Sequence, residues 1–317
     1  MSRPGVAAGY WALLVVGVAL ALVPLATGDS AYYARITTLA LVYMAYAVAF
    51  NMIFGHTRQL FLCLGALAGS AAYLSVVLTR ELHLSPAVTI VLGTLLAGAL
   101  GGLFSYVSVR RGLGVIFLGI VTLAFSLIFN NLIYGLRELT NGETGLVTKG
   151  MGLGVLEGQR SSYYVFLGVL MVALFMYQFM MSSRVGVAFR ALSDDEYTAE
   201  LAGIDVTSYK VLAASVGSLL IGFVGSLYAY QNGFINPSIF SLIGIDIVVL
   251  ITLLVGGMRT LLGPVLGGAA FAMIDELVRP FGQLNVLVYG ALLIVVFLAF
   301  REGLVPALRK TARLPIP

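Results

Sequence analysis

Of the 317 residues, 60% are hydrophobic and only 10% carry a charge, and the mean hydropathy is +1.02. A soluble domain has about 25% charged and about 45–50% apolar residues, so no single aqueous core accommodates this composition and the chain reads as an integral membrane protein. The 18 Lys and Arg exceed the 14 Asp and Glu by a net charge of +4, but they lie scattered between apolar runs, a pattern of topology-setting loops and not of a nucleic-acid surface.

Stretches free of Asp, Glu, Lys and Arg cover 4–28, 36–57, 59–79, 82–109, 112–136, 161–183, 211–245, 247–258, 260–274 and 280–300. A helix that crosses about 30 Å of hydrocarbon at about 1.5 Å per residue needs about 20 apolar residues, so most of these runs are long enough to span. The expected fold is an all-α, polytopic transmembrane bundle of about ten helices. The first run follows Arg3 as a signal peptide would, but Leu25, Ala26 and Thr27 before Gly28 and Asp29 offer no small-x-small cleavage site, and the run reads as a retained helix. Runs 247–258 and 260–274 are short and separated only by Arg259, which predicts short or broken helices meeting at a Gly-rich break. With ten crossings, Arg3, Arg110 and Arg111, Arg184 and Arg190, and the tail bearing Arg301, Arg309, Lys310 and Arg313 share one side, so both termini are expected in the cytoplasm and the 137–160 loop outside.

Gly55, Arg58 and Leu60 recur at the spacing of Gly256, Arg259 and Leu261, each set followed by a glycine-rich helix start. This marks a candidate inverted repeat, and glycine breaks in corresponding places of two halves point to a transporter's substrate path. Glycines that merely let helices pack closely are the alternative, and they explain much of the total of 37.

No GxxxxGK[ST] phosphate loop, HExxH zinc motif or GxSxG elbow occurs, and Cys63, the single cysteine, lies in an apolar run, where it reads as a small core residue. Charges in apolar surroundings stand out because each costs about 2.5–3.5 kcal/mol on insertion scales unless paired or hydrated. Asp246 is placed either in a polar cavity, where it would attract a substrate ammonium, or at a helix end as a cap or headgroup contact. Arg58 and Arg259 read as snorkelling residues at cytoplasmic helix ends, and Asp275 and Glu276 beside Arg279 as an external helix end.

Residues 183–210 break the apolar pattern. Arg184, Arg190, Asp194, Asp195, Glu196, Glu200, Asp205 and Lys210 alternate with Ala188, Ala191, Leu192, Ala199, Leu201 and Ile204 at helical spacing, which predicts one short amphipathic helix along the cytoplasmic surface, stopped by Gly203. Lipid-surface helices prefer Lys and Arg on the polar face, whereas acids dominate here, so the segment fits a groove in a soluble protein partner better.

Ser183, Gly186, Arg190, Ala191, Asp194, Glu196, Ala199, Glu200, Gly203 and Val206 resemble the cytoplasmic signature of the M-type permease subunits of bacterial branched-chain amino acid ABC importers. Residues 120–125, the loop with Thr140, Gly142, Gly145 and Leu146, the stretch from Gly222 to Phe240, and Gly256, Gly257, Leu261, Gly263, Pro264 and Gly267 extend the resemblance over most of the chain, in matching order and spacing. The resemblance implies a single transmembrane permease domain over 1–317 in the bacterial inner membrane, with 183–210 as its cytoplasmic coupling segment and Arg190, Asp194, Asp195, Glu196, Glu200 and Gly203 at the ATPase contact. It implies a homologous second permease subunit, two cytoplasmic ATPase subunits that hold ATP and Mg, an extracytoplasmic substrate-binding protein and surrounding lipid, with no cofactor, metal or catalytic residue in this chain and no nucleic-acid partner. Arg58, Gln59, Asp246, Gly256, Gly257 and Arg259 are the residues expected along the substrate path. Departures bear on the cargo: the family's Gly-Gln-x-Ser-x-Gly is replaced by Arg58, Gln59, Leu60, Phe61, Leu62 and Cys63, and Asp246 stands where a small polar residue is usual. Urea, amides or other small solutes are the alternative cargo, and an ion-driven secondary transporter is the alternative class.

Overall fold

The computed structural model describes residues 4–27, 30–148, 154–156, 158–278, 287–288, 290–291 and 305. Arg3, most of the 280–300 run and the tail residues Arg301, Arg309, Lys310 and Arg313, on which the expected placement of the termini rests, lie outside these residues, as do Asp29 and Arg279.

The architecture is a helical bundle. Helix α1, Pro4–Thr27, begins on a proline, whose missing N–H is free at a first turn in any case. Helix α2, Ala31–Phe50, continues into a π-helical turn, Asn51–Gly55, and together they form one of five helices among the described residues long and apolar enough to cross a membrane. The others are α4, Pro86–Arg110; α5, Val115–Gly135; α7, Gln159–Ser182; and α10, Val206–Asn232. Helix α3, Leu64–Leu82, begins five residues later than the apolar run it belongs to and stops at His83, whose φ of 50° is left-handed, and Pro86 opens α4 three residues on.

Between α5 and α7 the connecting loop carries the short helix α6, Arg137–Thr140, and strand β1, Leu146–Val147. Gly233, at φ +71°, ends α10 and turns the chain into β2, Phe234–Ile235, which pairs antiparallel with β1. The chain then re-enters the bundle through a 3-10 turn, Pro237–Phe240, and a π turn, Leu242–Ile247, before α11, Val248–Gly256, and α12, Gly263–Val278. The run 211–245 thus holds one long helix and a re-entrant connection.

At the centre, α3, α4 and α10 pack backbone to backbone because small residues line their contacts. Gly93 faces the Ala71 carbonyl, Gly101 faces Ser218, Gly222 faces Ala97 and Gly225 faces Ala68. A buried polar cluster joins the same three helices. The Ser75 hydroxyl donates to the Thr89 carbonyl (2.9 Å), the Tyr230 hydroxyl to the Ser75 carbonyl (3.2 Å), and Thr79 and Tyr230 share a 2.8 Å bond. Outside this block, α1 lies on α7, fastened by the Tyr163 hydroxyl on the Leu20 carbonyl (2.6 Å). Helices α4 and α5 turn apolar side chains such as Leu95, Leu103, Ile116, Phe117, Leu127 and Ile128 outward, as lipid-facing helices do.

Helices α11 and α12 also approach closely: a Cβ added at Gly256 would run into the Gly263 carbonyl and the Gly267 N–H. A methyl group has no room there. Gly256→Ala is expected to lower stability by about 1–3 kcal/mol, read as a fall in the thermal midpoint of the detergent-solubilised protein. Gly168→Ala, with open space around it, is the control expected to leave the midpoint unchanged or raised.

Candidate functional site

Two interruptions of helix lie inside the bundle, at 56–63 between the π turn of α2 and α3, and at 257–262 between α11 and α12. At the matched positions Arg58 has φ +52° and Arg259 φ +63°, two of the four left-handed non-glycine residues among those described. Side chains with a Cβ rarely adopt this region, so the sequence echo is also a backbone echo.

Broken helices leave N–H and C=O groups without intrahelical partners, and in apolar surroundings each must find one within the protein. Here each break is closed by a side chain from the other half of the chain. Asn51, fully buried in the π turn of α2, donates from Nδ2 to the Thr260 carbonyl (3.0 Å) and accepts at Oδ1 from the Arg259 N–H (2.9 Å). Arg259 returns the contact, its Nε donating to the Gly55 carbonyl (2.9 Å). In the opposite sense Asp246, 1% exposed, accepts the Leu64 N–H at Oδ1 (2.5 Å) and the Gly65 N–H at Oδ2 (3.3 Å). A carboxylate there caps α3 and faces the positive end of its dipole. Of the two placements open to Asp246, the structure shows the cap.

Arg58 and Arg259 are both exposed, and each side chain also donates to a backbone carbonyl. The Arg58 guanidinium donates to the Ser193 carbonyl (2.8 Å), at the C-terminal end of helix α8, Arg184–Asp194. Its neighbour Gln59 is buried and donates to the Lys210 carbonyl in α10 (3.0 Å). His56 bonds the Tyr177 hydroxyl of α7 (2.7 Å) and stacks on Phe189 of α8, with ring centroids 6.0 Å apart. The six residues expected along the substrate path therefore form two groups: Arg58 and Gln59 join the first break to α8 and to the start of α10, and Asp246, Gly256, Gly257 and Arg259 shape the breaks themselves. Gly257 holds φ +107°, open to glycine alone.

The charged segment that follows α7 forms two helices where the periodicity predicts one. Asp195 adopts an extended conformation, φ −154° and ψ 119°, and its carboxylate caps α9, Glu196–Leu201, by accepting the Thr198 N–H (2.7 Å). Ser183 caps α8 and Gly203, at φ +83°, ends the pair. The buried face carries Ala188, Phe189, Leu192 and Ala199, while Arg190, Asp194, Tyr197, Glu200 and Leu201 point away from the bundle, Tyr197 and Leu201 with 71% and 73% of their surface open. Glu196 pairs with Lys210 of α10 (2.6 Å), and Arg190 donates to the Met181 carbonyl at the end of α7 (3.3 Å). The Thr198 N–H, aided by its hydroxyl, holds the Asp195 carboxyl below its ordinary value. That cap acts in full above the usual carboxylate value of about 3.9 and is lost as pH falls through the lowered folded value.

The chain matches the family described as branched-chain amino acid transport system / permease component over residues 32–297. It belongs to that family. It is 26% identical to the high-affinity branched-chain amino acid transport system permease protein LivM of Salmonella typhimurium, and 27% identical to the LivM of Escherichia coli, each over 88% of this chain and 71% of the relative. A probable branched-chain amino acid transport permease protein LivH of Methanocaldococcus jannaschii is 25% identical over 74% of this chain and 77% of its own length. No solved structure matches. In this permease-family chain the residues that carry the resemblance between 183 and 206 are those that build α8 and α9.

Sequence reasoning missed Asn51 and His56. Both sit in apolar stretches without the formal charge that singled out the other candidates, and a polar side chain within such a run was the available signal. For Asp246→Ala, which leaves the Leu64 and Gly65 N–H groups without their acceptor, the expected loss is about 1–3 kcal/mol per group. Thermal unfolding in detergent should rank wild type above Asp246→Asn, which keeps one acceptor oxygen, and Asp246→Asn above Asp246→Ala. Equal midpoints for all three would remove the capping role.

Proposed function

We propose that this chain is one permease subunit of an ABC importer that carries branched-chain or related amino acids inward across the bacterial inner membrane, both termini lying in the cytoplasm. The observation that carries the reading is the α8–α9 pair: a capped, outward-facing structure with acidic and apolar side chains, fastened at its inner face to the first helix break. The names of the relatives support amino acids as cargo, and the likeness to both LivM and LivH proteins supports pairing with a homologous second permease. Two ATPase subunits holding ATP and Mg, and an extracytoplasmic binding protein, complete the assembly.

In this reading Tyr197, Leu201, Asp194 and Glu200 enter a groove of an ATPase subunit. Closure of the ATPases on ATP pushes α8. Arg58 on the Ser193 carbonyl and the His56–Phe189 stack then pass the displacement to the 56–63 break, and Gln59 and the Glu196–Lys210 pair pass it to α10. The two ends of the path open alternately as this element changes between two arrangements. Gly256, Gly257 and Arg259 belong to the path as the shaped wall at the second break.

Glu200→Lys combined with Tyr197→Ala should cut ATPase co-purification at least about tenfold, corresponding to about 1.4 kcal/mol or more of interface, while Glu143→Lys at the opposite end leaves it intact. Undiminished co-purification would count against the docking role. Arg58→Ala should leave the complex assembled but hydrolyse ATP with less solute moved per turnover, measured in proteoliposomes as the ratio of uptake to phosphate release. An unchanged ratio would remove Arg58 from the relay.

A further inference from the structure

At the end of the bundle opposite α8 and α9, a cleft of about 490 Å³ opens between the start of α2, the start of α7 and the end of α10. Its polar lining includes Arg35, Gln159, Gln231 and Asn232, together with Tyr32, whose hydroxyl donates to Glu276 (2.6 Å). A second space of about 360 Å³ adjoins it through Arg35, Gln231 and Asn232 and adds Ile36, Leu39 and Tyr228. These volumes fall in the usual range of small-molecule sites, about 300–1,000 Å³, and the mixture of a few convergent polar groups with apolar wall is what such sites show. Arg35 is exposed to the cleft and forms no ion pair among the described residues.

Further in, Tyr46 is buried with no partner for its hydroxyl, and Tyr43 donates to the Gly244 carbonyl (3.0 Å) in the turn that carries Asp246.

We propose that this cleft is a solute-receiving site in which the Arg35 guanidinium holds the carboxylate of an α-amino acid. A guanidinium presents a planar pair of N–H donors that match both oxygens of a carboxylate. The ammonium meets side-chain acceptors: Asn232 donates its Nδ2 to the Phe234 carbonyl (2.8 Å), which leaves its Oδ1 to accept, and Gln159 and Gln231 offer two more amide oxygens. Ile36, Leu39 and Leu156 supply the surface for an aliphatic side chain. The site rests on the transport reading above and adds the carboxylate as the group that is recognised. It also moves first recognition of the solute away from the charged residues at the breaks, whose polar groups are largely engaged in holding backbone.

The test uses the assembled complex with its ATPases and binding protein in proteoliposomes. Labelled leucine uptake should fall at least tenfold in Arg35→Gln and less in Arg35→Lys, which keeps the charge, with all subunits still co-purifying. In a Cys63→Ser, Ala31→Cys complex, with the new thiol on the cleft wall, millimolar leucine should slow maleimide labelling of the introduced thiol and leucinamide, which lacks the carboxylate, should not; adding Arg35→Gln should abolish the protection. Equal protection by leucine and leucinamide, or Arg35→Gln uptake equal to wild type, overturns the site while the transport reading stands. A wild-type complex that imports no leucine overturns both.

Discussion

A peptide backbone that stops being helical inside an apolar bundle exposes donors and acceptors that water cannot reach, and the protein is organised around meeting that need. Asn51 and Asp246 do so in crossed fashion: the helix that leads into the first break supplies the side chain that closes the second, and the turn that leads into α11 supplies the carboxylate that closes the first. Removing either partner would leave buried N–H or C=O groups bare, at about 1–3 kcal/mol each, which is large against the stability of any single domain. Breaks fastened in this way can be sharp and still be held in one geometry, and flexible backbone need not be invoked. The left-handed arginines and the open φ of Gly257 fit the same picture, because such conformations persist only where surrounding bonds fix them.

This arrangement divides the molecule into parts with different stiffness. Helices α3, α4 and α10 meet through glycine, alanine and serine and share the Ser75–Thr89–Tyr230 cluster, which leaves little freedom to slide. The pair α8 and α9, in contrast, packs through the short buried face of Ala188, Phe189, Leu192 and Ala199 and a few identifiable bonds, among them Arg58 to Ser193 and Glu196 to Lys210. A small number of polar contacts can be remade as a unit more readily than a packed small-residue seam. On the proposed reading, a partner's push would reach the less tightly seamed part.

Much of the helical plan was legible because charge-free runs of about 20 residues report the hydrocarbon directly. The charged helical segment was legible as well, since Arg184 to Lys210 carry charges no lipid-facing helix tolerates, and Gly203 marked the end of its helices. The split at Asp195 was not, because the apolar positions keep helical spacing straight through it, and only the capping bond to Thr198 reveals where the backbone turns. The capping partners of the breaks were hidden for another reason. Asp246 and Leu64 are 182 residues apart, and Asn51 and Thr260 are 209 apart, so no local window contains both members of a pair. Asn51 carries no charge, and Arg35 borders a run instead of interrupting it, so a scan for buried charge passes over both.

The long reach of the Asp246 cap also bears on how the protein is made. The N-terminal end of α3 leaves the ribosome long before the residue that satisfies it; at about 5–20 residues per second, a gap of 182 residues corresponds to roughly ten to forty seconds of synthesis. During that interval the first half of the chain must sit at the insertion machinery with an unfilled donor pair, shielded by water, translocon or a chaperone, until the second half arrives. Biogenesis of this bundle is thus a closing of one half upon the other, and a truncated product ending before residue 246 would present quality-control proteases with an unsealed helix end.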